Sequence, residues 1–134
     1  MRSSRPHLEK VINAGVRTVI YDGDADYVCN YQGVENMVNA LHHKYSSQFA
    51  STSWTSWSID GVRTGQFKNA GSFSYVRIFQ SVSHFGASQS QTHIVVPRAG
   101  HLVPAFTVGN LPLGKHALTM FNQAMSGQPI SSTY

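Results

Sequence analysis

Charged side chains are scarce in this sequence, at 12% of 134 residues, about half the share usual for a globular domain. A surface so thinly charged implies that part of it is covered by something else. The ten Lys and Arg stand singly from Arg2 to Lys115 and outnumber the acids by four. They form no cluster of the kind that neutralises neighbouring phosphates, which argues against a nucleic-acid partner. A single cysteine, Cys29, excludes an internal disulfide and removes any redox signal of compartment. No apolar run approaches the ~18 residues that span a bilayer, so no membrane association is expected. The basic residues from Met1 to His7 are not followed by the apolar core of a signal peptide, and the chain reads as soluble and untargeted. No Gly-x-Ser-x-Gly occurs anywhere, the nearest approach being Gly86-Ala-Ser-Gln-Ser90.

What is present is enough apolar material for one folded domain and no more: 41% hydrophobic and 11% aromatic residues, in a length that leaves no room for a second core. Leu8, Val11 and Ile12 have helical spacing within Pro6–Ala14, and Gly15 is a plausible stop. The β-branched run Val16–Tyr21 then reads as a buried strand. Val34, Met37, Val38 and Leu41 repeat at helical spacing between Asn30, a candidate N-cap, and Leu41. Helix, strand, loop and helix in this order form the unit of an α/β sheet. A Ser/Thr-rich stretch carries Trp54 and Trp57, whose expected role is packing. Gly65–Asn69 and Phe73–Phe79 read as a hairpin about a turn at Asn69–Ser72. Beyond it, Ile94–Val96 is strand-like and Ala99–Pro104 reads as a turn. Leu113–Met125 reads as an amphipathic helix with Ala117, Leu118, Phe121 and Met125 on its apolar face, and a frayed tail is expected from Ser126.

Two loops leave strands at their carboxyl ends, where open α/β sheets hold their active residues. One, Asp22 to Asn30, concentrates three of the six acids, Asp22, Asp24 and Asp26, within five residues. Taken alone it is a solvated polar loop. The other, Ala99 to Pro104, carries His101. A histidine that takes a proton from a nucleophile needs a carboxylate on its other ring nitrogen to fix the tautomer and stabilise the imidazolium. Asp26 followed by His101 has the chain order of acid and histidine in α/β-hydrolases, in which the nucleophile comes first. His42 and His43 are neighbours in one helical segment and point roughly 100° apart. They serve a single metal ion poorly and are read as surface residues, and no metal site is expected.

In Tyr21-Asp-Gly-Asp-Ala-Asp-Tyr-Val-Cys-Asn30, in the Gly61, Gly65, Lys68, Phe73 and Val76-Arg77 pattern between Trp54 and Phe79, and in Ala99-Gly-His-Leu-Val-Pro104, the sequence resembles the serine carboxypeptidases, α/β-hydrolases that remove C-terminal residues from peptides. The resemblance implies a partial α/β-hydrolase fold made of the C-terminal strands and helices of the sheet with a β-hairpin, in one domain over 1–134. It implies that Asp26 and His101 are the triad acid and base. It also implies that Cys29 and Leu102 flank the pocket for the departing C-terminal residue, that no cofactor is needed, and that the setting is secreted or vacuolar/lysosomal.

The resemblance lacks a nucleophile, since the family's serine lies far upstream of its aspartate and here only 25 residues precede Asp26. The oxyanion hole and the groups that hold the substrate carboxylate are missing too. The expectation is therefore a C-terminal fragment that is inactive alone. The alternatives are a non-catalytic fragment that pairs with another chain, or with itself, through an exposed sheet edge, and a fragment of a related acyltransferase or lyase. Residues 81–98, rich in Ser, Gln and His, match no element of the fold. They read as an atypical insertion, either a surface loop or translated non-coding sequence.

Overall fold

The structure, a computed structural model, describes residues 4–24, 26, 30–79 and 108–134. The expected insertion at 81–98 lies outside the described residues. Four strands form one mixed sheet in the order β1-β4-β3-β2. They are β1 (Thr18–Gly23), β2 (Thr55–Ile59), β3 (Val62–Ala70) and β4 (Phe73–Ile78), and the helices are α1 (Arg5–Asn13), α2 (Tyr31–Asn39), α3 (Ser46–Ser51) and α4 (Lys115–Met125). β1 runs parallel to β4, with Thr18 opposite Phe73 and Asp22 opposite Arg77, whereas β2, β3 and β4 are antiparallel neighbours.

Strand alternation divides the sheet into two covered faces. On one, Phe73 and Tyr75 of β4 pack with Ile12 of α1, Val38 of α2 and Phe49 of α3, and Ile20 lies against them. On the other, Val76 and Ile78 pack with Trp57, Met120 of α4 and Ile130 of the tail, with Val19 against them. The elements thus form three layers, as the α/β reading anticipates.

Turn chemistry sets the antiparallel half. Asp60 and Gly61 both have positive φ, 49° and 75°, as a two-residue hairpin turn between β2 and β3 requires. The ladder shifts register between Trp57 and Ser58, a bulge of the kind that bends a strand. Beside it, Gly65 leaves no space for a side chain: a Cβ there would lie 2.2 Å from the Arg77 carbonyl oxygen of β4. Gly65→Ala is therefore expected to force β3 from β4 and to destabilise the fold by about 3 kcal/mol, measured by urea denaturation. A loss under about 0.5 kcal/mol would show that the strands are not held so closely.

Several expected boundaries shift. The strand expected at Val16–Tyr21 begins at Thr18 and extends through Asp22 and Gly23, because Thr18 bonds the Ser72 carbonyl (2.9 Å) and starts the parallel ladder. Asn30 caps α2 as expected, its side chain accepting from the Gly33 amide at 2.7 Å. The Ser/Thr-rich stretch supplies two elements that its composition does not announce, α3 and β2. The expected surface histidine His43 is buried: its Nδ1 accepts from the Tyr45 amide (3.2 Å) and its ring meets Phe73 edge-on at 5.1 Å. Burial holds its pKa below the usual histidine range, with Glu9 opposing.

The tail is not frayed. Ile130 is 1% exposed, Trp57 Nε1 donates to the Ser131 carbonyl (3.1 Å), and the Thr133 amide donates to the Ser58 carbonyl (2.9 Å). The tail therefore covers the outer edge of β2, and β1 remains as the strand whose only ladder partner among the described residues is β4. Helix α4 also corrects its expected orientation. Its buried residues are His116 and Met120, while Leu118, Phe121 and Met125 of the apolar face stay more than half exposed. With Val19 and Tyr21 of β1 they line an open apolar groove of about 560 Å³.

Candidate active site

The carboxyl end of the parallel pair carries the acidic loop. The ladder continues one bond past β1, where the Asp24 amide donates to the Ile78 carbonyl at 3.0 Å. The chain then turns, and the Asp26 amide donates back to the Gly23 carbonyl at 3.1 Å. Gly23 is buried, and Asp26 is only 8% exposed. This carboxylate is thus a buried group on a tight turn rather than a solvated loop acid. A buried carboxylate at the mouth of a parallel strand can orient and charge-stabilise a neighbouring imidazole. His101, Cys29 and Leu102, the other expected site residues, lie outside the described residues.

Beneath this turn lies a buried polar cluster that the sequence reading passes over. Asp22 is 6% exposed. It shares a sheet face with Ile20, the face covered by α2, because alternate residues of a strand point the same way. Tyr75, two residues before Asp22's partner Arg77, donates its hydroxyl to Asp22 Oδ2 at 3.1 Å. The other oxygen, Oδ1, is buried with no hydrogen-bond partner among the described residues, as is Arg77 Nε. The Arg77 guanidinium lies over the Tyr31 ring of α2, 3.7 Å from its centroid. Burial pushes the Asp22 carboxyl up to about 6. The Tyr75 hydrogen bond and the Arg77 charge oppose the rise, and Glu35 and Asp24 add to it. Burial and the neighbouring Asp22 raise the Tyr75 phenol far above its ordinary value. The signal available in the sequence was parity: Asp22 follows Ile20 by two, and Tyr75 and Arg77 alternate likewise across the ladder.

Among the described residues no group of three His, Cys, Asp or Glu side chains is placed to hold an ion. No described helix is long and apolar enough to cross a membrane.

A mixed sheet with helices on both faces and a buried acid turn at the carboxyl end of its parallel pair defines part of an α/β-hydrolase fold. A model of the family described as serine carboxypeptidase matches residues 1–127, and the chain belongs to that family. It is 29% identical over 132 residues to carboxypeptidase S1 of Penicillium janthinellum, a match covering 98% of this chain and 26% of the relative. It is 30% identical over 103 residues to carboxypeptidase Y of Schizosaccharomyces pombe, covering 77% of this chain and 8% of the relative. Against carboxypeptidase Y of Saccharomyces cerevisiae it is 27% identical over 119 residues, covering 87% and 18% respectively. The chain thus spans about a quarter or less of the length of these relatives.

Proposed function

We propose that this chain supplies the acid and base, Asp26 and His101, of a serine-type carboxypeptidase that hydrolyses C-terminal residues from peptides. Its serine nucleophile and oxyanion donors would come from outside these 134 residues. The observation that carries this reading is the burial of Asp26 on the turn that leaves β1, at the carboxyl end of the parallel pair. In the reaction, His101 takes the serine proton as the acyl–enzyme bond forms and returns it to the departing amine. Asp26 holds the imidazole in the required tautomer. Cys29 and Leu102 flank the pocket for the departing residue. Without a nucleophile the pair has nothing to activate, and without an oxyanion hole it forgoes a factor of about a hundred or more. The chain alone is inactive in this reading. Reaction of the pure chain with a fluorophosphonate is the test, and labelling of any serine would overturn the division of labour.

The apolar groove beside β1 supports a second reading, in which the chain acts by association. A strand with one ladder partner presents unpaired amides and carbonyls to a second strand. Arg17, just before β1, is turned away from that edge: its guanidinium donates to Ser74 Oγ (2.9 Å) and to the carbonyls of Ser72 and Gln128. With so few charges to oppose contact, the isolated chain is expected to self-associate with rising concentration. Size-exclusion chromatography with light scattering reads this directly, and a monodisperse monomer with a cooperative melt would refute it.

A further inference from the structure

The buried cluster under the Asp26 turn does not belong to the hydrolytic reaction, and its geometry poses a chemical problem. Asp22 lies four residues before Asp26, one rung before the end of the β1–β4 ladder. Its Oδ2 accepts the Tyr75 hydroxyl, and its Oδ1 faces no donor among the described residues. A carboxylate anion buried with one oxygen unserved is costly, whereas a neutral carboxyl in the same place carries no net charge to desolvate. The groups around it divide: the Tyr75 hydrogen bond and the Arg77 charge favour the anion, and two neighbouring acids join burial in favouring the neutral form. Glu35 of α2 and Asp24 of the loop are like charges, and Arg77 of β4 is the one cation among the charged groups acting on it. That guanidinium is engaged with the Tyr31 ring.

We propose that Asp22 is a positioning residue, whose neutral form seats the turn that carries Asp26, so that this end of the sheet is best assembled in mildly acidic solution. The link to the turn is covalent and short. Asp22 and Gly23 end β1, the Gly23 carbonyl accepts the Asp26 amide, and the Asp24 amide binds the Ile78 carbonyl beside Arg77. Ionising Asp22 places an unpaired charge under these two bonds and loosens them. The direction of the Asp22 shift agrees, since burial raises its pKa to about 6. For an acid raised on folding, the stabilisation is complete below the unfolded value near 4 and is lost as pH rises through the folded value.

The consequence rests on the reading of Asp26 as the site acid, yet it is measured on Asp22 and the backbone, so the two fail separately. Carboxyl-carbon NMR of the chain should show Asp22 titrating near pH 6, with the Asp24 and Asp26 amide signals moving at the same midpoint. The unfolding equilibrium constant should rise about 50-fold from pH 4 to pH 7 through this group. In Asp22→Asn, neutral at every pH, that movement and that slope should vanish while the fold persists. In Tyr75→Phe, which removes the donor but keeps the ring, the midpoint should move higher, and this variant carries the test should Asp22→Asn not fold. Titration of Asp22 near 4, amide signals of the turn that ignore its midpoint, or an unchanged pH slope in Asp22→Asn would each overturn the proposal. A change in Asp26-dependent activity alone would bear only on the catalytic reading.

Discussion

Replacing Asp26 by Asn is expected to lower kcat about 10⁴-fold in an active peptidase assembled from this chain and an upstream portion of a relative that supplies the serine and oxyanion donors. KM should change little. The substitution keeps the size of the side chain and its place on the turn between Gly23 and the start of α2. It converts an acceptor-only carboxylate into an amide that can also donate, and so permits the imidazole tautomer that cannot take the serine proton. Loss in kcat rather than KM is the mark of a group that acts in the transition state. His101→Ala should cost as much, and the two changes together little more than either alone, because they disable one unit. A kcat within tenfold of the parent for Asp26→Asn would remove Asp26 from the chemistry. The chain by itself, given a dipeptide with a free C-terminus at mildly acidic pH, should show no turnover above background.

Trp57→Ala is expected to have the largest effect on stability, about 4 kcal/mol, or a fall in Tm of roughly 15 °C for a domain of this size. Trp57 is fully buried and belongs to the core that joins the sheet to Met120 of α4 and Ile130 of the tail. Its Nε1 donates to the Ser131 carbonyl, so truncation opens a cavity and also releases the segment that covers the edge of β2. Trp57→Phe keeps most of the apolar contact and loses the donor, and should cost about 1–2 kcal/mol. Chemical denaturation of both variants separates packing from the hydrogen bond. A loss for the alanine variant within about 1 kcal/mol would mean that the tail does not depend on this side chain.

What the sequence alone determined is the content that depends on local pattern. Helical spacing in Leu8–Ile12 and Val34–Leu41 located α1 and α2, Asn30 announced its cap, and the aromatic and β-branched run at Phe73–Ile78 located β4. The three ordered motifs indicated the family, because their residue types and order are chemical requirements that survive without a structure. Tertiary structure decided the rest. Asp22 and Tyr75 are 53 residues apart, and only the parallel register of β1 on β4 turns the first of three acids into a buried group sharing a proton donor. The segment around Trp57 has little local strand signal beyond its aromatic residues, and it becomes β2 because β3 and the tail pair with it from either side. The tail itself looked polar and frayed because a lone Ile130 carries no periodicity, yet its burial follows once Trp57 offers a partner. His43 is buried by Phe73, a contact across 30 positions of sequence. Helix α4 is amphipathic in sequence, but which face is covered depends on what stands beside β1, and helical periodicity specifies a face without specifying what lies against it.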